Sequence, residues 1–355
     1  MPELPEVETI ARGLRPALVG RTVEHVDVLW ARTIDRPAPT IFADLVTGVR
    51  FTDVGRRGKV LHFEFDRPYT LLVHLRMSGR FALRSRIEGP GDDKHARVRM
   101  ALDDGTWLVF IDPRKFGRFY LVEDVRSVLH HLGPDAMSPA FNPRWLETAL
   151  AGRRGEIKRL LLDQRFVAGI GNIYVSESLW RAGIHPARAA GSLSAEECRR
   201  LHAAIVAVLG ESIVAGGTSL EDRQYVYPNG ELGGYQLHLS VYDRAAEACP
   251  RCGYAIERLV QGQRSSYYCP ICQPLSGSER EEDNVETQTL KINGMSCQMC
   301  VKHVTRALEG VAGVTEVKVD LEPGTAVVTF DPATAGLPAF ESAVAEAGYE
   351  VAGQA

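Results

Sequence analysis

Six of the seven cysteines in this chain stand in Cys-x-x-Cys pairs, at 249/252, 269/272 and 297/300, leaving Cys198 alone. Sixteen residues lie between Cys252 and Cys269, a spacing that suits a zinc site in which Cys249, Cys252, Cys269 and Cys272 supply four thiolates to a closed tetrahedron. With four ligands filled no position is left for water, so such a zinc is structural. Redox pairs or free core thiols are the alternative. The third pair lies in Gly294-Met-Ser-Cys297-Gln-Met-Cys300, after a strand-like segment and at the start of a helical one. Thiols at a helix N-terminus are acidified by its dipole, and a two-coordinate sulfur site favours Cu(I) or a similar soft ion. A thioredoxin-like redox pair is the rival there. Cys198 sits in an amphipathic stretch and reads as inert core.

The opening residues offer a different chemistry. A small second residue generally permits removal of the initiator Met, which would leave Pro2 as a free secondary amine. Unperturbed α-amines titrate near ~8, so a useful fraction is unprotonated at neutral pH and attacks carbonyl carbon to give an imine. Glu3 beside it can serve as acid or base. Taken alone, a proline at this position is ordinarily structural filler.

These groups need elements to hold them. In PELPEVETIARGLRPAL, Val7, Ile10, Ala11 and Leu14 fall on one helical face. From about Arg21 to Leu121 short β-rich segments follow (TVEHVDVLW, KVLHFEF, TLLVHL, ARVRMAL, TWLVFID), which predicts a β-sandwich or barrel-like domain of roughly eight strands. Helical periodicity returns near Pro143–Leu150, Gly155–Leu162, Tyr174–Ala182 and Ala195–Val214. The two zinc-type pairs then frame a short β segment, and the polar, acidic run 276–286 reads as linker. The last ~66 residues alternate strand, helix, strand, strand, helix, strand, with Pro-Gly at 323–324 marking the central hairpin, the order of a ferredoxin-like fold.

The 355 residues are 45% hydrophobic and 24% charged, which excludes disordered and collagen-like chains. No apolar run reaches the ~20 residues of a membrane span, and no secretory leader opens the chain, so a cytoplasmic protein is expected. The net charge of -4 hides an asymmetry: residues 1–273 carry 36 Lys+Arg against 32 Asp+Glu, and residues 274–355 carry 5 against 13. That is a basic module with an acidic appendage.

MPELPEVETIARGL, RRGKVL at 56–61, HLRMSGRF at 74–81, DPRKFGR at 112–118, GIGNIYVSESLWRAGIHP at 169–186 and the two cysteine knuckles occur in that order. Together they resemble formamidopyrimidine-DNA glycosylases over residues 1–273. The resemblance implies an N-terminal β-sandwich, a helix-two-turn-helix domain and a zinc finger, in an enzyme that excises oxidised purines. It implies Pro2 as the nucleophile toward C1′ and Glu3 as the acid/base for base departure and ring opening. Lys59 would contact the lesion and its flanking phosphates, and Lys158, Asn172 and Arg264 would bind phosphates, Arg264 from the finger as part of the catalytic set. Glu6 and Glu177 would be buried carboxylates orienting the amine and waters, and the turn Gly169, Gly171, Asn172 would approach a phosphate. Met77, Arg114 and Phe116 match the residues that fill the void left by a flipped nucleotide. A thioether and a ring can wedge into the stack, while Arg hydrogen-bonds the widowed cytosine. Residues 217–236 should contain the loop that closes over the extruded base. The tail motif in its β-α-β-β-α-β setting looks like a heavy-metal-associated domain, in which Tyr349 resembles a tyrosine shielding the metal loop.

The chain is thus expected to be multidomain α+β: a catalytic β-sandwich (1–122), a helix-two-turn-helix domain (123–240), a zinc finger (241–273), a linker (274–286) and a heavy-metal-associated domain (287–355). The expected activity is excision of 8-oxoguanine and formamidopyrimidines opposite cytosine in double-stranded DNA, with β,δ-elimination at the abasic site, by a monomer carrying one zinc and binding Cu(I) or a similar metal. An endonuclease VIII-type enzyme for oxidised pyrimidines, a non-catalytic damage-binding protein and a metal-handling protein targeted by its DNA module are the alternatives.

Overall fold

The computed structural model describes residues 2–85, 94–218, 233–275, 286–330, 332 and 334–354. Chain contacts divide the protein into two units, residues 1–276 and 277–355.

The first unit opens with helix α1 (Leu4–Leu18), whose expected stripe is buried as Val7, Ile10, Ala11 and Leu14. Pro5 occupies its first turn, where a missing N–H costs nothing, and Glu6 reaches back to accept the Glu3 N–H at 2.8 Å. Then come β1 (Val23–Val28), β2 (Ile34–Arg36), helix α2 (Pro39–Val46), β3 (Phe51–Arg57), β4 (Val60–Phe65), β5 (Thr70–His74), β6 (Arg80–Arg84), β7 (Ala96–Leu102), β8 (Trp107–Ile111) and β9 (Arg118–Val122). One sheet has the order β1-β7-β8-β6 and the other β2-β9-β5-β4-β3. Both face a shared core in which Phe51, Phe63, Phe81, Phe110 and Phe119 form a chain of ring contacts. Among the described residues the sandwich therefore has nine strands where roughly eight were expected. Helix α2 was not expected in this β-rich run, yet Phe42 and Val46, one turn apart, both bury against the sandwich.

The helical part holds α3 (Arg126–Leu129), α4 (Pro143–Leu150), α5 (Ile157–Leu162), α6 (Asn172–Ala182) and α7 (Ala195–Val214). Two starts are written in the sequence. The Asn142 side chain accepts the Trp145 N–H at 3.0 Å, and Ser194 and Glu197 form a reciprocal capping box before α7. Gly183 closes α6 in the left-handed conformation. The finger is the hairpin β10 (Glu257–Gln261) and β11 (Arg264–Tyr268), turned by Gly262 and Gln263 at φ +54° and +66°.

The second unit has its own core around Leu290, Ile292, Val304, Val328 and Phe340. Its elements are β12 (Glu286–Asn293), α8 (Gln298–Glu309), β13 (Val314–Asp320), β14 (Thr325–Phe330), α9 (Leu337–Glu346) and β15 (Glu350–Gln354), in the antiparallel order β13-β14-β12-β15. That is the expected ferredoxin-like arrangement. Most of the expected linker (276–285) and of the expected closing loop (219–232) lies outside the described residues.

Candidate active site

Leu4 carries the N-terminus away from its own domain. Its side chain is buried among the apolar residues of the helical part, and its N–H donates to the Gly169 carbonyl at 3.0 Å. Gly169 has φ +109°, and a Cβ there would fall on the Leu4 side chain. Half-buried Pro2 and buried Glu3 are thereby delivered to the start of α6. One Glu3 oxygen accepts the Ile173 N–H at 3.1 Å, while the other is buried with no hydrogen-bond partner among the described residues. A Cβ on Gly171 would occupy the Glu3 carboxyl group itself. The glycines of this turn thus admit Leu4 and Glu3, a nearer client than the phosphate expected from sequence.

Glu6 lies beneath. Its oxygens take the Glu3 N–H, the Thr218 N–H at 2.8 Å and the Tyr174 hydroxyl. Burial, with the Glu3 carboxylate beside it, raises its pKa. Tyr174 also bonds the Ser212 and Thr218 hydroxyls at 2.7 and 3.0 Å. Glu6 is buried, as expected, and it holds the Glu3 backbone.

Lys59 sits on the turn between β3 and β4 and is 5% exposed. Burial pulls its ammonium below the usual lysine range, Glu3 and Glu6 oppose that, and Arg264 adds to it. The turn is tied to the helical part by Asp135, which accepts the Gly58 N–H at 2.7 Å and pairs with Arg56, itself paired with Glu8. His74 lies close enough to feel the Lys59 charge. Burial, with Arg76 and Lys59 nearby, pulls it down to about 3, so it stays neutral. Neither Asp135 nor His74 stood out in the sequence, where each reads as part of a polar turn or a strand end.

Two loops at one edge of the sandwich carry the expected wedge. Met77 and Phe116 are 40% and 46% exposed, unusual for such side chains, and the Arg114 guanidinium lies 5.0 Å from the centre of the Phe116 ring. A single carboxylate joins both loops. Asp112, 1% exposed, accepts the Ser78 hydroxyl at 2.5 Å and the Arg114 and Gly117 N–H groups at 3.2 and 2.7 Å. A Cβ at Gly79 or Gly117 would strike the Phe110 ring below. Asp112 was legible as part of the DPRKFGR motif, but its task was not.

Three expectations change. Lys158 is 1% exposed and spends its three donors on Ser176 Oγ, Ser265 O and Ser266 Oγ at 3.3, 2.9 and 2.8 Å. It has no donor left for a phosphate and instead fastens the finger hairpin to α5 and α6. Asn172 also donates to Ser265 O, at 3.0 Å. Glu177 does not face the N-terminal amine. Its carboxylate accepts the N–H groups of Ser240, Val241 and Tyr242 at 2.9, 3.0 and 2.8 Å, holding the segment that enters the finger. Arg264, next to the doubly held Ser265 carbonyl, is exposed. Its charge reaches both Lys59 and Lys158.

The Sγ atoms of Cys249, Cys252, Cys269 and Cys272 all lie within 4.8 Å of one another. Three are buried and Cys252 is exposed. This all-sulfur cluster fits a four-coordinate structural zinc. In the second unit the Cys297 and Cys300 Sγ atoms are 3.6 Å apart at the exposed start of α8. A backbone hydrogen bond at Ser296, with the Tyr349 hydroxyl nearby, draws the Cys300 thiol down to about 6. Cys198 is buried in the core, as expected. No helix among the described residues is long and apolar enough to cross a membrane.

Four family models match the chain in order. They are the formamidopyrimidine-DNA glycosylase N-terminal domain (1–119), the H2TH domain of the same enzymes (132–224), a zinc finger found in FPG and IleRS (246–275) and a heavy-metal-associated domain (289–350). The chain is 46% identical over 278 residues to a formamidopyrimidine-DNA glycosylase of Chloroflexus aggregans, covering 78% of this chain and 99% of that one. It is likewise 46% identical to one of Geobacillus kaustophilus, covering 77% and 100%. Among solved structures it resembles the MutM (FPG) protein of Thermus thermophilus at 40% identity and a TM-score of 0.69, covering 77% of this chain and 98% of that one. It also resembles the Lactococcus lactis Fpg in complex with DNA containing an abasic site at 33% and 0.71, covering 77% and 99%.

Proposed function

The chain belongs to the formamidopyrimidine-DNA glycosylase family, and on that footing we propose that it excises oxidised purines, 8-oxoguanine and formamidopyrimidines, from opposite cytosine in duplex DNA and then cleaves the abasic site. The observation that carries the reading is the Glu3 carboxylate, buried next to Pro2 with one oxygen fixed by α6 and the other without a partner among the described residues. A fixed carboxylate with a free oxygen is poised to move a proton.

With Met1 removed, the Pro2 nitrogen attacks C1′ of the flipped nucleoside, Glu3 takes the proton the amine loses, and the base departs with the glycosidic electron pair to be protonated from solvent. Glu3 passes its proton to the ring oxygen, the sugar opens, and the Pro2 nitrogen is left as an iminium on C1′. That cation acidifies C2′–H. Loss of this proton expels the 3′ phosphate, and a second elimination expels the 5′ phosphate. Buried Lys59, held near Glu3 with a lowered pKa, is suited to take up or return protons in these steps. Arg264 anchors a phosphate from the finger, while Met77, Arg114 and Phe116 enter the space the nucleotide vacates.

Zinc in the finger supplies folding energy rather than reactivity. In the second unit Cys297 and Cys300 would hold Cu(I) or another soft ion, with Tyr349 covering Cys300. The enzyme acts as a monomer in the cytoplasm, associated with the nucleoid through DNA.

Borohydride reduction during turnover of 8-oxoguanine DNA tests this. A covalent adduct should form, Pro2→Gly should slow trapping sharply, and Glu3→Gln should lose base excision while keeping some cleavage of a pre-formed abasic site. Full-rate trapping in the Pro2 variant would sink the assignment.

A further inference from the structure

Two sulfur sites of different character lie on this one polypeptide. The finger cluster uses four thiols, of which Cys252 is exposed. Thiolates favour soft ions such as Cu(I) as readily as zinc, so the exposed sulfur is a point of entry. Loss of the zinc would be costly to the enzyme, because the hairpin it braces holds Arg264 and is fastened through Ser265 and Ser266 to Lys158 and Asn172.

The second site presents less resistance to the same ion. Cys297 and Cys300 already lie 3.6 Å apart at the exposed start of α8. The module around them has its own core, so the two thiols are held in place without any ion. Entry of a monovalent soft cation there forms two metal–sulfur bonds and releases only the two thiol protons to solvent. Entry into the finger must also break zinc–sulfur bonds and expel Zn²⁺. The difference favours the Cys297/Cys300 pair over a zinc-loaded finger, and covalent linkage supplies one such pair per finger at any protein concentration.

We propose that the Cys297–Cys300 site is a sacrificial trap that keeps soft metal ions off the zinc finger of its own chain. This rests on the reading that Cys297 and Cys300 bind such an ion.

The test uses the full chain loaded with one zinc, reduced and free of oxygen, titrated with Cu(I) supplied as its acetonitrile complex. Zinc release is followed with a chromogenic chelator, bound copper by elemental analysis after desalting, and duplex binding by fluorescence anisotropy. The native chain should take up its first equivalent of Cu(I) without measurable zinc release or loss of DNA binding. The Cys297→Ser/Cys300→Ser double variant, altered at exposed or half-exposed positions outside the enzyme's site, should release zinc and lose duplex binding within that first equivalent. Identical zinc-release curves in the two proteins, with the native chain still carrying one more copper, would overturn the trap and leave metal binding intact. Equal copper content at saturation together with identical zinc-release curves would overturn the metal reading, and the trap with it.

Discussion

At Gly171 the chain leaves space for a carboxylate where any other residue would place a methyl group. Gly171→Ala should displace Glu3, and a misplacement of about 1 Å at a reacting group can cost on the order of 100-fold in rate. Single-turnover excision of 8-oxoguanine should fall by about that factor, while the melting temperature stays near that of the native protein. Lys158 makes a different point. Burial draws its ammonium down to about 7 in the folded protein, whereas an unfolded lysine holds its proton to about 10.4. Between those values the unfolded chain binds more protons, so stability rises with pH across that window. Thermal melts from pH 7 to 9.5 should show this rise in the native protein and lack it in Lys158→Met. A curve of equal slope in both would contradict the burial of a protonatable amine at this position. Lys158 and Glu177 were legible as important but not as fasteners, because a sequence shows which groups are charged and not which are enclosed. Pro2, Glu3 and Lys59 stood out as candidates because the order of motifs around them is shared with a whole family, and the structure buries Glu3 and Lys59 where a surface charge would be exposed.

Among the elements, those with written ends were read best. The span Pro143–Leu150 begins at the Asn142 cap and Ala195–Val214 at the Ser194/Glu197 box, and both helices have the expected bounds. Helix α2 escaped because eight residues with two buried positions give no clear period inside a run of strands. The loops bearing Met77 and Arg114–Phe116 were recognised as motifs, yet their mutual dependence emerged only from the shared Asp112 carboxylate. Asp112→Asn keeps its size but turns one acceptor oxygen into a donor, facing either the Gly117 N–H or the Ser78 and Arg114 groups. Loss of a hydrogen bond to a charged group costs roughly 1.5–3 kcal/mol, so lesion-containing duplexes should bind about tenfold or more weakly. A 2-aminopurine placed beside the lesion reports unstacking, and its signal should drop in this variant while cleavage of an abasic site in single-stranded DNA changes little. Unchanged unstacking would release Asp112 from this role.

As a whole, the molecule joins a complete enzyme to a second unit with a separate core. The relatives it matches are covered almost end to end by about 77% of the chain, and the contact boundary falls at 276/277. Truncation after Ser276 should therefore preserve incision of oxidised DNA while eliminating soft-metal binding. Loss of incision in a truncated protein that still folds would show the units to be coupled. Within the enzyme, the partners of one stretch of α6 come from far along the chain: Glu3 bonds Ile173 from 170 positions away, Ser265 bonds Asn172 from 93, and Val241 bonds Glu177 from 64. Contacts so distant form late. On a ribosome, Pro2 and Glu3 emerge first but have no seat until α6 follows, and α6 has no anchored finger until the last cysteine has been made. Under the mechanism proposed above, the amine that attacks DNA is thus disarmed throughout its own synthesis, and unfinished or misfolded copies carry no working blade.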